Sequence, residues 1–306
     1  MKKFIVKLCL ILCPAAVAIC ALTYAAYESE LRILKRDLTC PTNIVAAVVG
    51  DSRVEVSFDP DEIPWMKNFG KSASPFFLTA QKARLVAQLN PSLKLLVVDV
   101  WPSRFFANIN KPIEVASPVP YGIALIELMT RKDMPPIGDG LEVRIVQGVV
   151  KPGLNNILHG TENAHCQITG GFFKNKKSIP EELFNEACAR NVGFPPPKKP
   201  FDLSKTPTGG EIILDHLLAD LSKTDIKIVL TTTPLLWEKL RWTPAALEYF
   251  EQKMSEIAGR HKVPWHNWML DYQDIREYWA DGLHFNDIGA AAFSRDKRAV
   301  LEQYIR

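Results

Sequence analysis

The sequence predicts an α/β domain built on a parallel sheet with helices on both faces. Three observations carry that prediction. Short runs rich in Val, Ile and Leu stop at Gly, Pro or Trp-Pro, as strands buried on both faces do. Segments with helical spacing alternate with those runs. The chain has 306 residues, 47% of them apolar, which is enough for a substantial core.

At the N-terminus, Lys2, Lys3 and Lys7 precede residues 8–27, a stretch without a charged side chain. About twenty apolar residues suffice to cross a bilayer. A secretory signal has a shorter apolar core and a small-x-small cleavage site. Residues 1–27 therefore read as a cytoplasmic stub and an uncleaved transmembrane helix, with Ala25 and Ala26 leaving cleavage open. The leading lysines orient the single pass with the remainder of the chain outside the cytoplasmic membrane. Arg32, Lys35 and Arg36 weigh against that orientation without reversing it. Cys20 follows Ile19, which is larger than the residue a lipoprotein site wants. Residues 28–42 then read as a short polar helix and linker.

The folded domain is expected over residues 43–306. Residues 43–49 (NIVAAVV), ending at Gly50, form the first predicted strand. Residues 93–100, stopping at Trp101-Pro102, and 226–233, stopping at Pro234, form two more. Residues 263–270, leading to Asp271, form another. Helices are predicted over 76–89, 210–221, 243–261 and 290–305. The stretch 105–200 fits the alternation less well and reads as an insertion packed on the core. It holds helix-like pieces at 121–128 and 180–188 and a polyproline-like segment at 193–200.

Composition excludes some functions. With 37 basic and 34 acidic residues the net charge is +3, too small and too dispersed for nucleic-acid binding. Of the six cysteines, Cys9, Cys13 and Cys20 lie in the apolar stretch. Cys166 and Cys188 would be able to pair in an oxidising compartment, a geometry that sequence does not fix. No CxxC occurs and no His cluster has metal-ligand spacing, so no metal is expected.

The chemistry rests on two short motifs. Gly50-Asp51-Ser52 places a serine at the carboxyl end of the first strand, where ligands collect in open parallel sheets. Asp281-Gly282-Leu283-His284 precedes the last helix, with one tight turn between carboxylate and imidazole. A serine, a histidine to take its proton and an acid to orient the ring make a nucleophilic triad. Each motif also has a plain structural reading: Asp51 and Ser52 as a helix cap, and Asp281 to His284 as a surface loop. Those plain readings place Ser52 and His284 far apart.

In these residues the chain resembles the SGNH/GDSL hydrolase family. There Gly-Asp-Ser follows the first strand and supplies the nucleophile, while a late Asp-x-x-His supplies base and orienting acid. The resemblance implies Ser52 as nucleophile, His284 as base and Asp281 as orienting acid. Asn68-Phe69-Gly70 looks like the family's second block, whose glycine N–H joins the serine N–H in the oxyanion hole. That implies Ser52 and Gly70 as donors here. The family's third block, Gly-x-Asn-Asp, is absent: Asp99-Val100-Trp101-Pro102-Ser103 stands in its place without the asparagine donor. Ser74 or Ser103 is expected to substitute near substrate, and Arg53 to hold an anionic group or make a surface salt bridge.

The anchor and Gly50-Asp51-Ser52-Arg53 are similar to the membrane-anchored branch that modifies envelope polymers by O-acetylation or D-alanylation. The function implied is an extracytoplasmic serine esterase or O-acyltransferase on a cell-envelope carbohydrate. Its partners would be the membrane through residues 8–27, an acyl-ester substrate and a membrane-bound acyltransferase. No cofactor is implied. The alternative is a binding or scaffold protein that keeps the fold without turnover. Trp265, Trp268 and Trp279 read as core or as a sugar-stacking platform, and His216 and His266 as structural.

Overall fold

The branched apolar runs do become the central strands. In the computed structural model, which describes residues 2–72, 74–105, 170–189, 208–236 and 244–306, five strands form one sheet. They are Ala46–Gly50 (β1), Met66–Gly70 (β2), Leu95–Asp99 (β3), Lys227–Thr232 (β4) and Trp265–Asn267 (β5). Their order is β2-β1-β3-β4-β5, and every neighbouring pair is parallel. This is one of the common doubly wound orders.

All residues of β1 and β3 are buried, so both faces of the sheet are covered. Because side chains alternate along a strand, Ala46, Val48, Leu95 and Val97 share one face. They join a core cluster with Val54 and Phe58, and with Ala290, Phe293 and Leu301. Val54 lies on helix Ser52–Ser57 (α2); the last three lie on the C-terminal helix Asp287–Glu302. Ala47, Val49, Leu96 and Val98 point the other way and are equally buried. Each Val or Leu among these contributes about 1.5–3 kcal/mol on leaving water. Helix Phe76–Leu89 (α3) lies against β1 and β3 and packs on helix Gly209–Leu221. That helix packs in turn on helix Pro244–His261.

The strand at Met66–Gly70 was not expected. Lys67 and Asn68 break its apolar run, and at the sheet edge it needs apolar cover on less of its length. The four helices expected from periodicity all form, with boundaries shifted by up to three residues. The predicted helix near 180–188 is also present, as Glu181–Ala189. Residues 170–180 of the expected insertion are also described; most of the remainder, including 121–128, 193–200 and Cys166, lies outside the described residues, as do the side chains of Ser103 and Cys188.

The chain divides into two units, the larger covering Leu38–Pro112, Arg131–Pro136 and Thr169–Arg306. Within the smaller, the described part is residues 2–37, all in one helix, Lys2–Leu38 (α1). This corrects the expected break after residue 27. Residues 28–38 contain Glu, Leu, Arg and Lys but neither Gly nor Pro, so nothing local ends the helix. Among the described side chains, which leave out residues 1–13, 15 and 16, no helix is long and apolar enough to cross a membrane.

Candidate active site

The chain leaves β1 toward β2 on one side and returns to β3 on the other, so a crevice opens at their carboxyl ends. Gly50 closes β1 there. A Cβ at this position would lie 2.1 Å from Val54 Cγ2, so only glycine lets α2 fold back over the strand. Asp51 caps α2: its carboxylate accepts the Arg53 N–H at 3.1 Å. Ser52 follows as the first residue of that helix.

The second half of the site is a loop between β5 and the C-terminal helix, Asp287–Glu302, numbered α8 once Pro102–Phe105 (α4), Glu181–Ala189 (α5), Gly209–Leu221 (α6) and Pro244–His261 (α7) are counted. Trp279 and Phe285 pair as an isolated antiparallel bridge, and Ala280 N–H donates to His284 O at 2.9 Å. Asn286 caps α8 by accepting Gly289 N–H at 3.0 Å, while its amide donates to Glu277 O at 2.7 Å. Phe285 packs between Trp279 and Phe293, fixing the loop to the core.

This loop brings His284 to Ser52 across 232 positions of sequence. His284 Nε2 lies 2.9 Å from Ser52 Oγ. Its Nδ1 lies 3.0 and 2.9 Å from the two carboxylate oxygens of Asp281. An ionised carboxylate only accepts, so Nδ1 carries the proton and Nε2 is left to accept from the serine hydroxyl. Asp281 also accepts backbone N–H groups from Leu283 at 2.7 Å and His284 at 2.9 Å. Partial burial works against its charge. The hydrogen bond to His284, the electrostatic attraction of that ring and the two N–H groups outweigh that, holding its carboxyl below the usual range. Ser52, His284 and Asp281 are thus assembled as the motifs suggested, and Asp51 caps the helix at the same time.

The other expected site residues fall elsewhere. Arg53 does not face substrate or make a surface pair; it is 2% exposed. Its guanidinium donates to Asp51 through Nε at 3.1 Å and Nη2 at 2.8 Å, and Nη2 stands 3.7 Å from Asp99 Oδ2. It also stacks 3.3 Å from the Trp101 ring centroid. Gly70 N–H does not point free toward an oxyanion: it donates to Asn68 Oδ1 at 2.7 Å. Ser74 is buried, and its Oγ accepts from Thr79 at 3.5 Å. It lines a small cavity with Asp51, Asp99 and Trp101.

Three residues the sequence reading undervalued shape this crevice. Asp99 accepts Thr233 N–H at 2.9 Å, and burial pushes its carboxyl up to about 6 against the pull of Arg53. Trp101 roofs Arg53. Asn68 donates to Val54 O at 2.7 Å and Phe58 O at 3.0 Å, tying β2 to the end of α2. A buried Asp at the end of one apolar strand beside an Arg after another was the available signal for the first pair.

Of the tryptophans, Trp279 and Trp268 are core and Trp265 is half-buried with its indole N–H on Thr232 Oγ1, so they form no open platform. His266 stacks on Trp268 and meets the Tyr304 hydroxyl at 2.9 Å. No protein-family model matches the chain, and no match was found among curated proteins.

Proposed function

We propose that the chain is an extracytoplasmic serine esterase or O-acyltransferase of the SGNH type, acting on acyl esters of a cell-envelope carbohydrate. The observation that carries this reading is the Ser52 Oγ to His284 Nε2 distance of 2.9 Å, with Asp281 on the other ring nitrogen. Ser52 Oγ attacks the ester carbonyl while His284 Nε2 takes its proton. As the tetrahedral intermediate collapses, the same nitrogen returns that proton to the departing sugar oxygen, leaving acyl-Ser52. Water or a second sugar hydroxyl, deprotonated by His284, then attacks the acyl carbon and frees Ser52 Oγ.

Ser52 N–H is the first candidate oxyanion donor; Gly70 joins it only on release from Asn68 Oδ1. Residues 8–27 serve as a single-pass anchor in the cytoplasmic membrane, which sets the domain beside envelope polymers and a membrane-bound acyltransferase. The uncharged sequence over residues 8–27 supports that role, since it matches the roughly twenty residues a bilayer needs. The test is hydrolysis of an aryl acetate by the full chain in detergent. Turnover should fall about a thousandfold in Ser52→Ala. Equal rates in both proteins would end the esterase reading.

One observation favours a second reading, a scaffold that keeps the fold without turnover. Gly70 N–H is committed elsewhere, and Trp101 stands where a third donor would be. Losing one such donor costs about two to three orders of magnitude. Folded protein without detectable turnover, but with affinity for an acylated polysaccharide, would favour this second reading.

A further inference from the structure

The described piece of the expected insertion does more than cover the core. Residues 170–180 form no regular element and make backbone hydrogen bonds in turn to four parts of the site. Gly171 N–H donates to Gly70 O at 3.0 Å, and Phe173 N–H to Glu55 O at 2.8 Å. Asn175 O accepts Asp287 N–H at 2.9 Å, and Ile179 N–H donates to Trp279 O at 2.8 Å. Glu55 is three residues after Ser52, Asp287 three after His284, and Trp279 two before Asp281. One stretch of backbone therefore touches the nucleophile helix on one side and both ends of the His–Asp loop on the other.

The contacts at its two ends are tightly specified. Gly170 has φ +67, and a Cβ there would lie 1.8 Å from Gly70 O, so glycine alone allows that approach. Ile179 is 3% exposed and belongs to the same core cluster as Trp279 and Phe285. Between them, Phe172 packs against the core while Phe173 and Lys174 are exposed, so at positions 173 and 174 the segment is held by backbone rather than by apolar packing.

We infer that residues 170–179 are a positioning brace that holds Ser52 and the Asp281–His284 loop in register. This rests on the triad reading, and it adds a part of the chain that neither motif contains. The brace touches no reacting atom; it acts through α2 and through Trp279. His284 is partly exposed and Asp281 half-exposed, so packing of their own side chains fixes them only loosely. A misplacement of about 1 Å at such a pair costs roughly two orders of magnitude in rate.

The experiment compares the full chain with Gly170→Ala and Phe173→Pro, using two readouts. Phe173→Pro removes one brace hydrogen bond at an exposed position, so it keeps the fold where Gly170→Ala fails to. The first readout is the rate of labelling by a fluorophosphonate between pH 5 and pH 9. The brace predicts a fall of about tenfold or more in either folded variant, with a flatter pH profile than the parent. The second is backbone deuterium uptake over residues 279–286, expected to speed up in both variants. Lys174→Ala, which loses only an exposed pair with Asp61, should match the parent in both readouts. Folded variants with the parent labelling profile and unchanged uptake would overturn the brace. A parent that never labels counts against the esterase reading, while the uptake comparison still decides the brace.

Discussion

Arg53 is the residue on which the crevice depends most. It is buried between Asp51 and Asp99 and roofed by Trp101, so removing it strands two carboxylates away from water. Breaking a buried ion pair from one side costs about 3–5 kcal/mol, because the remaining charge is left uncompensated. Arg53→Met is therefore expected to lower the stability seen in chemical unfolding by about that much, and adding Asp99→Asn to recover part of the loss. A change below about 1 kcal/mol would show that the pair is not held as described. The Ser52–His284–Asp281 contact was legible in the sequence because these residues lie in two short motifs with fixed internal spacing. The burial of Arg53 was not. A charged residue after a nucleophile reads equally well as a ligand contact, and only the fold places Asp99 beneath it.

At the scale of elements, Gly50 sets how closely α2 returns over β1. Gly50→Ala drives a methyl group into Val54 and to 3.1 Å from Asp99 Cβ. Overpacking of this kind costs about 1–3 kcal/mol, and here the helix that gives way carries Ser52. We expect a lower thermal midpoint, together with a labelling rate that falls further than stability alone explains. A midpoint and rate equal to those of the parent would mean that α2 is not pinned by this contact. Most elements were readable from the sequence pattern, since β1, β3 and β4 each centre on a continuous apolar run and α3, α6 and α7 keep helical spacing. β2 was hidden because Lys67 and Asn68 carry edge and tether roles that an apolar pattern does not show. The continuous α1 was misread at residue 28, where a change in composition was taken for a change in structure.

Across the whole molecule, two carboxyls pull stability in opposite directions with pH. Asp99 is raised to about 6, so the folded state binds its proton more tightly than the unfolded chain does. Its contribution is fully present below the unfolded value near 4 and is lost as pH rises through about 6. Asp281 is lowered, so its smaller contribution is present above the unfolded value and disappears as pH falls through the folded one. Asp99→Asn should flatten the decline in unfolding free energy between about pH 4 and pH 6. An unchanged slope would remove Asp99 from the account. The central claim is that folding joins Ser52, His284 and Asp281 into one working unit. Its most direct measurement is peptide mapping of the fluorophosphonate adduct on the full chain. The adduct should fall on Ser52, disappear in Ser52→Ala and His284→Ala, and form about a thousandfold more slowly in Asp281→Asn. A folded protein that acquires no adduct, or acquires it at another residue, would contradict that claim.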